Sequence, residues 1–446
     1  MTIQPDSQAA ASREEVQRVF DLQRRTRWSA RKTTAEQRKQ TLLRLREALS
    51  ARTDDIVKAL ADDMGRPADV AAMEVFQPIR KIDETIKHLD DWMAPTPVSN
   101  LVQASSAAIR WEPRGVVLLF GPWNFPISLV FEPLVALLAA GNTAVVKPNE
   151  IAPASSRITA EIIRDVFEER EVAAIEGGID VAEALLELPF DHIFLTGSPK
   201  VGRAVMAAAA KNLSSVTLEL GGKSPAIIDT TADLDAVVDQ LGVATMVNCG
   251  QVCLSVDYIL VPNRLRDELV TRLSAFFKNT FYADGVYQAS RNSRIVNGAN
   301  FKRLKGYLDD AVERGATVAF GGKAYEDALV IEPTILIDVP AEADVLSNEI
   351  FGPIVPVVGY DDVDNIISHV RGGTNPLAMF IFSKDNQFVE QVLENTSSGG
   401  VTVNGWAVHY WEDALPFGGI GDSGMGRYHG IAGFREFSHS RAVAFG

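Results

Sequence analysis

Cys253 is one of only two cysteines among 446 residues, and it ends the segment Asn248-Cys249-Gly250-Gln251-Val252-Cys253. Glu219 lies 34 residues upstream, within Leu218-Glu219-Leu220-Gly221-Gly222-Lys223. A cysteine thiolate attacks carbonyl carbon, and a base nearby can then activate the water that releases the product. A carboxylate set among apolar neighbours holds its proton more tightly than usual and acts as a base near neutrality. Taken alone, a free cysteine is more often a small buried hydrophobe than a nucleophile, which is the reading for Cys249. Cys253 differs because Gly250 permits close approach and Asn248 and Gln251 bring polar groups into an apolar region. A third group is Asn124, in the rigid turn Pro122-Trp123-Asn124-Phe125-Pro126. Its side-chain amide can donate to an oxyanion, a contribution of about 3–4 kcal/mol in comparable donors.

Three further segments carry potential chemistry. Lys147-Pro148-Asn149-Glu150 ends a strand; its lysine and carboxylate suit ribose hydroxyls, and a solvated loop explains them equally well. Gly197-Ser198-Pro199-Lys200-Val201-Gly202 opens a helix after a strand, where backbone N–H groups favour phosphate. Gly419-Ile420-Gly421-Asp422-Ser423-Gly424 matches G-x-G-x-x-G. That fingerprint needs a strand before it and a helix after it. Neither neighbour fits, so the segment reads as a loop. The six histidines form no H-E-x-x-H pattern and the two cysteines lack zinc-ligand company, so no metal site is expected.

The elements that must position these groups follow from periodicity. The first hundred residues read as helices, with Thr33 to Glu36 as a capping box and Leu42, Leu45 and Leu49 at helical spacing. Pro95 to Val98 marks a linker, and Leu101 to Trp111 reads as an extended ribbon. From Gly115, short apolar strands alternate with helices. Strands are expected at 115–120, 143–147, 173–176, 192–196 and 216–220, and helices at 129–139, 154–167 and 201–211. This pattern implies a parallel sheet covered on both faces. A second α/β series starts near Ser224, with strands at 226–228, 258–261 and 377–382 and a helix at 236–247. Val116 to Ala140 is apolar and long enough to span a bilayer, but Pro122, Pro126, Glu132 and Pro133 interrupt it. It reads instead as a buried strand, a turn and a buried helix.

Hydrophobic residues make up 46% and charged residues 23%, the balance of an ordinary soluble protein. A net charge of −15 opposes nucleic-acid binding. Two cysteines four positions apart give no disulfide framework, which suits a reducing compartment. Met1 to Ala10 shows no secretory-signal pattern. No membrane partner and a cytoplasmic location are therefore expected.

Together the segments resemble the NAD(P)-dependent aldehyde dehydrogenase superfamily. The motifs already quoted fall in family order, joined by Glu349-Ile350-Phe351-Gly352-Pro353 and Pro416-Phe417-Gly418-Gly419. The short length and the ending Ser423 to Gly430 look most like the class 3 and coniferyl-aldehyde-dehydrogenase-like branch. The resemblance implies a Rossmann-variant cofactor domain lacking the usual glycine fingerprint, an α/β catalytic domain and a small β bridging element. It divides the chain into 1–97 with 113–220 for the cofactor, 221–430 for catalysis, and 98–112 with 431–446 as bridging strands of a homodimer.

The resemblance also implies roles. Cys253 attacks the aldehyde, Asn124 and the Cys253 N–H hold the oxyanion, and Glu219 activates water on the thioester. Lys147 and Glu150 take the adenosine ribose, and Trp123 lines the cofactor cleft. Gly197, Ser198 and Val201 lie at the pyrophosphate and adenine side, and Glu349 and Phe351 at the nicotinamide ribose. Glu150 opposes a 2′-phosphate, so NAD is expected, with NADP possible. Phe125, Leu129, Leu254, Trp406, His409 and Phe417 line the aldehyde pocket, with Glu132 at its mouth. Aromatic walls suit an aromatic or medium-chain aldehyde. Three alternatives remain: coenzyme A-acylating chemistry, which the base Glu219 disfavours; a thiol hydrolase, which needs a histidine beside Cys253; and an inactive structural relative.

Overall fold

The computed structural model describes residues 11–446; the reading of Met1 to Ala10 lies outside the described residues. Four helices lead the chain: Arg13–Arg31, Ala35–Ala51, Thr53–Met64 and Ala68–Met93. The capping box at the start of the second sits one residue later than expected. Thr34 caps it and Gln37 answers, because Gln fills the N3 position as well as Glu does.

Two sheets build the body. The first runs, edge to edge, Gly424–Met425, Ser215–Leu220, His192–Gly197, Val116–Phe120, Thr143–Lys147 and Val172–Ala174. All its pairs are parallel except the first. Strand alternation divides its core. Val117, Leu119, Val146 and Phe194 face the apolar helix Ser128–Ala140. Val116, Leu118, Val145 and Ile193 face the other side, where Val16, Phe20 and Val205 pack. Strands buried on both faces read as continuous apolar runs, as Val116–Phe120 does. The chain runs outward from Val116–Phe120 through Thr143–Lys147, then returns to build on the opposite flank. Such a reversal leaves a crevice beyond the strands' carboxyl ends, where ligands of open α/β sheets bind.

The second sheet has the order Thr317–Phe320, Thr334–Ile337, Ile354–Tyr360, Tyr258–Pro262, Pro225–Ile228, Ala378–Phe382 and Gly400–Val403. It is parallel apart from its first pair. A third, small sheet joins Thr96–Pro97, Ser106–Pro113 and Ser438–Phe445. The ribbon expected from Leu101 thus starts later, at Ser106, and pairs across eight positions with the chain's last strand. The segment Gly419 to Gly424 holds a single 3₁₀ turn, Gly421–Ser423, and its last residue opens the two-residue strand Gly424–Met425 beside Ser215–Leu220. It is a loop without the strand-to-helix turn of a dinucleotide fingerprint. No helix among the described residues is long and apolar enough to cross a membrane.

Candidate functional site

Strand register brings the motifs to one end of the first sheet. Phe120 pairs with Lys147 and Leu195, and Gly197 with Leu220. The turn holding Asn124, the Lys147 corner, the Gly197 turn and Glu219 therefore open onto the same crevice. Cys253 reaches it from the other side, on a loop that follows the helix Leu234–Met246.

That loop has an unusual backbone. Asn248, Cys249 and Gly250 are all left-handed, with φ of 50°, 57° and 71°. Successive αL residues are costly for non-glycine types, and buried side chains hold them in place. Gln251 is fully buried; its amide donates to the Asn248 and Arg294 carbonyls, both at 3.0 Å, and accepts from the Val296 N–H at 3.0 Å. The Asn292 side chain accepts from the Cys249 N–H at 3.0 Å and donates to the Met246 carbonyl at 2.9 Å. A Cβ on Gly250 would run into the Gly352 carbonyl, so the Cys253 loop lies directly on the turn bearing Glu349. The two cysteines consequently diverge. Cys249 packs with Ile295, Phe301 and Leu304, whereas Cys253 keeps partial exposure.

Asn124 is locked to the same loop. Its Nδ2 donates to the Gln251 carbonyl at 3.1 Å, and its own carbonyl accepts from Asn248 Nδ2 at 3.1 Å. An amide nitrogen carries two hydrogens. One is anchored two residues from Cys253, and the second is free to serve an incoming oxygen.

Glu219 is 4% exposed, and neither carboxylate oxygen has a hydrogen-bond partner. Burial holds its carboxyl well above the usual range, against the opposing pull of Arg427 and with help from Glu436. Gly418 leaves it room: a Cβ there would come within 2.9 Å of Glu219 Oε1. Burial, with the nearby carboxylates of Glu349 and Glu219, pushes the Cys253 thiol up to about 12.

Glu349 Oε1 accepts from the Gly222 N–H at 3.1 Å, and a Cβ on Gly221 would collide with that carboxylate. Burial first, then Asp257, raises Glu349 to about 7. Phe351 adopts a left-handed φ of 51° and meets Trp123 edge-on at 5.3 Å. Lys147 is buried and pairs with Glu150 at 2.8 Å. Ser198 caps the helix Pro199–Asn212 through the Val201 N–H at 3.4 Å, while the Val201 side chain stays 47% exposed.

On the pocket side, Leu129, Leu254 and Phe417 are buried and Phe125 and Trp406 partly so. Trp406 Nε1 donates to the Leu254 carbonyl at 2.8 Å. His409 bonds the Thr402 hydroxyl at 2.7 Å and stacks on Phe417 at 6.1 Å, so it backs that ring. Glu132 departs from expectation. It is 3% exposed, accepts from the Tyr410 hydroxyl at 3.1 Å and lies 3.5 Å from His429. A buried carboxylate needs such partners, and they seal it from the pocket mouth. Sequence reasoning missed Arg66, Glu74 and Asn292, and named Asn248 and Gln251 only as polar groups near Cys253, without their partners. Asn248 and Gln251 gave a compositional signal, and the other three lie too far along the chain to give one.

Comparisons with known proteins identify the family. A model of the aldehyde dehydrogenase family matches residues 6–443. The chain is 38% identical over 411 residues to the 4,4'-diaponeurosporen-aldehyde dehydrogenase of Staphylococcus aureus (strain NCTC 8325 / PS 47), covering 92% of this chain and 89% of that one. It is 39% identical over 407 residues to aldehyde dehydrogenase family 3 member A2 of Mus musculus, covering 91% and 83%. The solved substrate-bound state of Staphylococcus aureus AldH matches with a TM-score of 0.92 at 35% identity, over 97% of this chain and 94% of that chain. The chain therefore belongs to the aldehyde dehydrogenase family, on its class 3 side, and is an NAD(P)-dependent enzyme that oxidises aldehydes to carboxylic acids.

Proposed function

We propose that Cys253, Glu219 and Asn124 carry this reaction. The observation that supports the reading best is the buried Glu219, with both oxygens unpartnered, set beside the partly exposed Cys253. Cys253 attacks the aldehyde carbon as its thiolate, the thiol proton having been released to solvent. The oxyanion rests on the free Asn124 N–H and the Cys253 backbone N–H. Oxidation leaves an acyl thioester on Cys253, and Glu219 deprotonates the water that hydrolyses it.

The crevice suits a dinucleotide. Glu349 keeps a carboxylate oxygen beyond its bond to Gly222, and Val201 offers exposed apolar surface. Lys147 and Glu150 would hold the adenosine ribose, Gly197 and Ser198 the pyrophosphate, Val201 the adenine side, and Glu349, Phe351 and Trp123 the nicotinamide end. When bound, the cofactor supplies the acceptor for the two electrons leaving the aldehyde. Glu150 favours NAD over NADP, because a carboxylate accepts from a 2′-hydroxyl and repels a 2′-phosphate.

Phe125, Leu129, Leu254, Trp406 and Phe417, backed by His409, form an apolar and aromatic pocket wall for an aromatic or medium-chain aliphatic aldehyde. Segments 1–97 and 113–220 bind the cofactor, 221–430 carries the catalytic cysteine, and 98–112 with 431–446 bridges two copies in a homodimer. The exposed last strand, with Phe445 at 57% exposure, supports the dimer. Two free thiols support a reducing, cytoplasmic setting. Hexanal or benzaldehyde with NAD should yield NADH and the free acid without coenzyme A, and Cys253→Ala should abolish both. Acid formation that strictly required coenzyme A would overturn the hydrolytic step.

A further inference from the structure

Arg66 is among the largest fully buried side chains of the described residues. It lies in the short link between the helices Thr53–Met64 and Ala68–Met93, and it is 2% exposed. Its Nη1 pairs with Glu74, which is 1% exposed, and its Nη2 donates to the Asn124 main-chain carbonyl. The guanidinium also lies over the Phe125 ring at 4.8 Å. Glu74 turns its other oxygen to the N–H groups of Ile127 and Ser128, at 2.9 and 3.1 Å. One buried ion pair thus grips the Pro122–Pro126 turn at its centre and just beyond its C-terminal end. With Asn248 Nδ2 as a second donor, the Asn124 carbonyl has both lone pairs occupied. The peptide plane is fixed, and with it the direction of the Asn124 side chain.

A buried ion pair is a poor source of stability, since apolar residues of similar volume commonly do as well. Its hold on this turn at two points has a use that packing would not provide. An oxyanion donor works only when held at the site where charge develops, before charge appears.

We propose that Arg66, with Glu74, is a positioning residue of the reaction: it holds Asn124 so that its free amide N–H is aimed at the oxygen of the aldehyde attacked by Cys253. This rests on the role assigned to Asn124 above.

The test is a double-mutant cycle on the full chain with NAD and hexanal, read as the rate of the first-turnover NADH burst, the KM for hexanal and the Kd for NAD. Asn124→Ala should slow the burst by about 10²–10³-fold. Arg66→Met should slow it by about ten- to a hundred-fold, the cost of a misplacement of roughly 1 Å, with KM within about threefold of wild type and NAD affinity unchanged. In the double variant the losses should not multiply; its burst should be no slower than that of Asn124→Ala. Arg66→Lys keeps the charge for Glu74 but lacks the fork that reaches both acceptors. It should recover thermal stability without recovering the burst, and the same cycle run with it decides the matter if Arg66→Met does not fold. A wild-type burst in Arg66→Lys, or losses that multiply in the double variant, would overturn the proposal. Asn124→Ala at the wild-type rate would overturn the Asn124 assignment itself.

Discussion

Replacing Glu219 by Gln keeps shape and volume while removing the proposed base. The carboxylate is 4% exposed, has no hydrogen-bond partner, and burial holds its carboxyl well above the usual range. A positioned general base contributes about 10²–10⁴ to the step it serves, or roughly 3–5 kcal/mol of barrier at 1.36 kcal/mol per tenfold. Hydrolysis of the Cys253 thioester should slow by that amount. Rapid mixing with saturating NAD and hexanal should then give one NADH per site as a burst, followed by a steady state lower by the same factor. Stability gives a second reading with a defined sign. A carboxyl whose folded pKa is raised holds its proton in the folded state while the unfolded chain has released it. The stability it contributes is present below the ordinary value near 4.5 and is lost as pH rises toward the folded pKa. Gln cannot ionise, so the gap in Tm between variant and wild type should move in the variant's favour as pH rises from 4 to 8. Steady-state turnover within about threefold of wild type, with no burst, would refute the reasoning.

Gly250→Ala should lower stability by roughly 2–4 kcal/mol and remove activity, because its φ is 71° and a Cβ meets the Gly352 carbonyl; denaturant unfolding measures it. Cys249→Ala should leave kcat within about twofold of wild type and cost about 1 kcal/mol of stability, since that thiol is buried against Ile295 and Phe301. With Glu349 raised to about 7, NAD affinity should strengthen as pH rises through that value, because the ionised carboxylate is the better acceptor for ribose hydroxyls. Glu349→Gln should flatten that profile in fluorescence titrations.

Much of the fold was legible because local rules decide it. The runs Val116–Phe120 and Thr143–Lys147 are apolar throughout since both faces of the sheet are covered. The glycine-rich match at Gly419 could be dismissed on its neighbours alone. Catalytic candidates were legible because their residue types are rare in such surroundings. What the sequence did not disclose is long-range. Arg66 reaches Asn124 across 58 positions, and Asn292 reaches the Cys249 N–H across 43. Neither carries a local pattern. Glu132 was misjudged because its partners, Tyr410 and His429, lie nearly three hundred residues away and only folding brings them to it. The boundary of the ribbon at Ser106 is set by pairing with the last strand, which no window around residue 101 contains.

The central claim is that the acyl group passes through Cys253. Glu219→Gln, mixed with NAD and hexanal and quenched in acid, should gain the mass of one hexanoyl group, and peptide mapping should locate it on Cys253. An unmodified Cys253 during full NADH production, or an acyl group on Cys249 instead, would contradict the account.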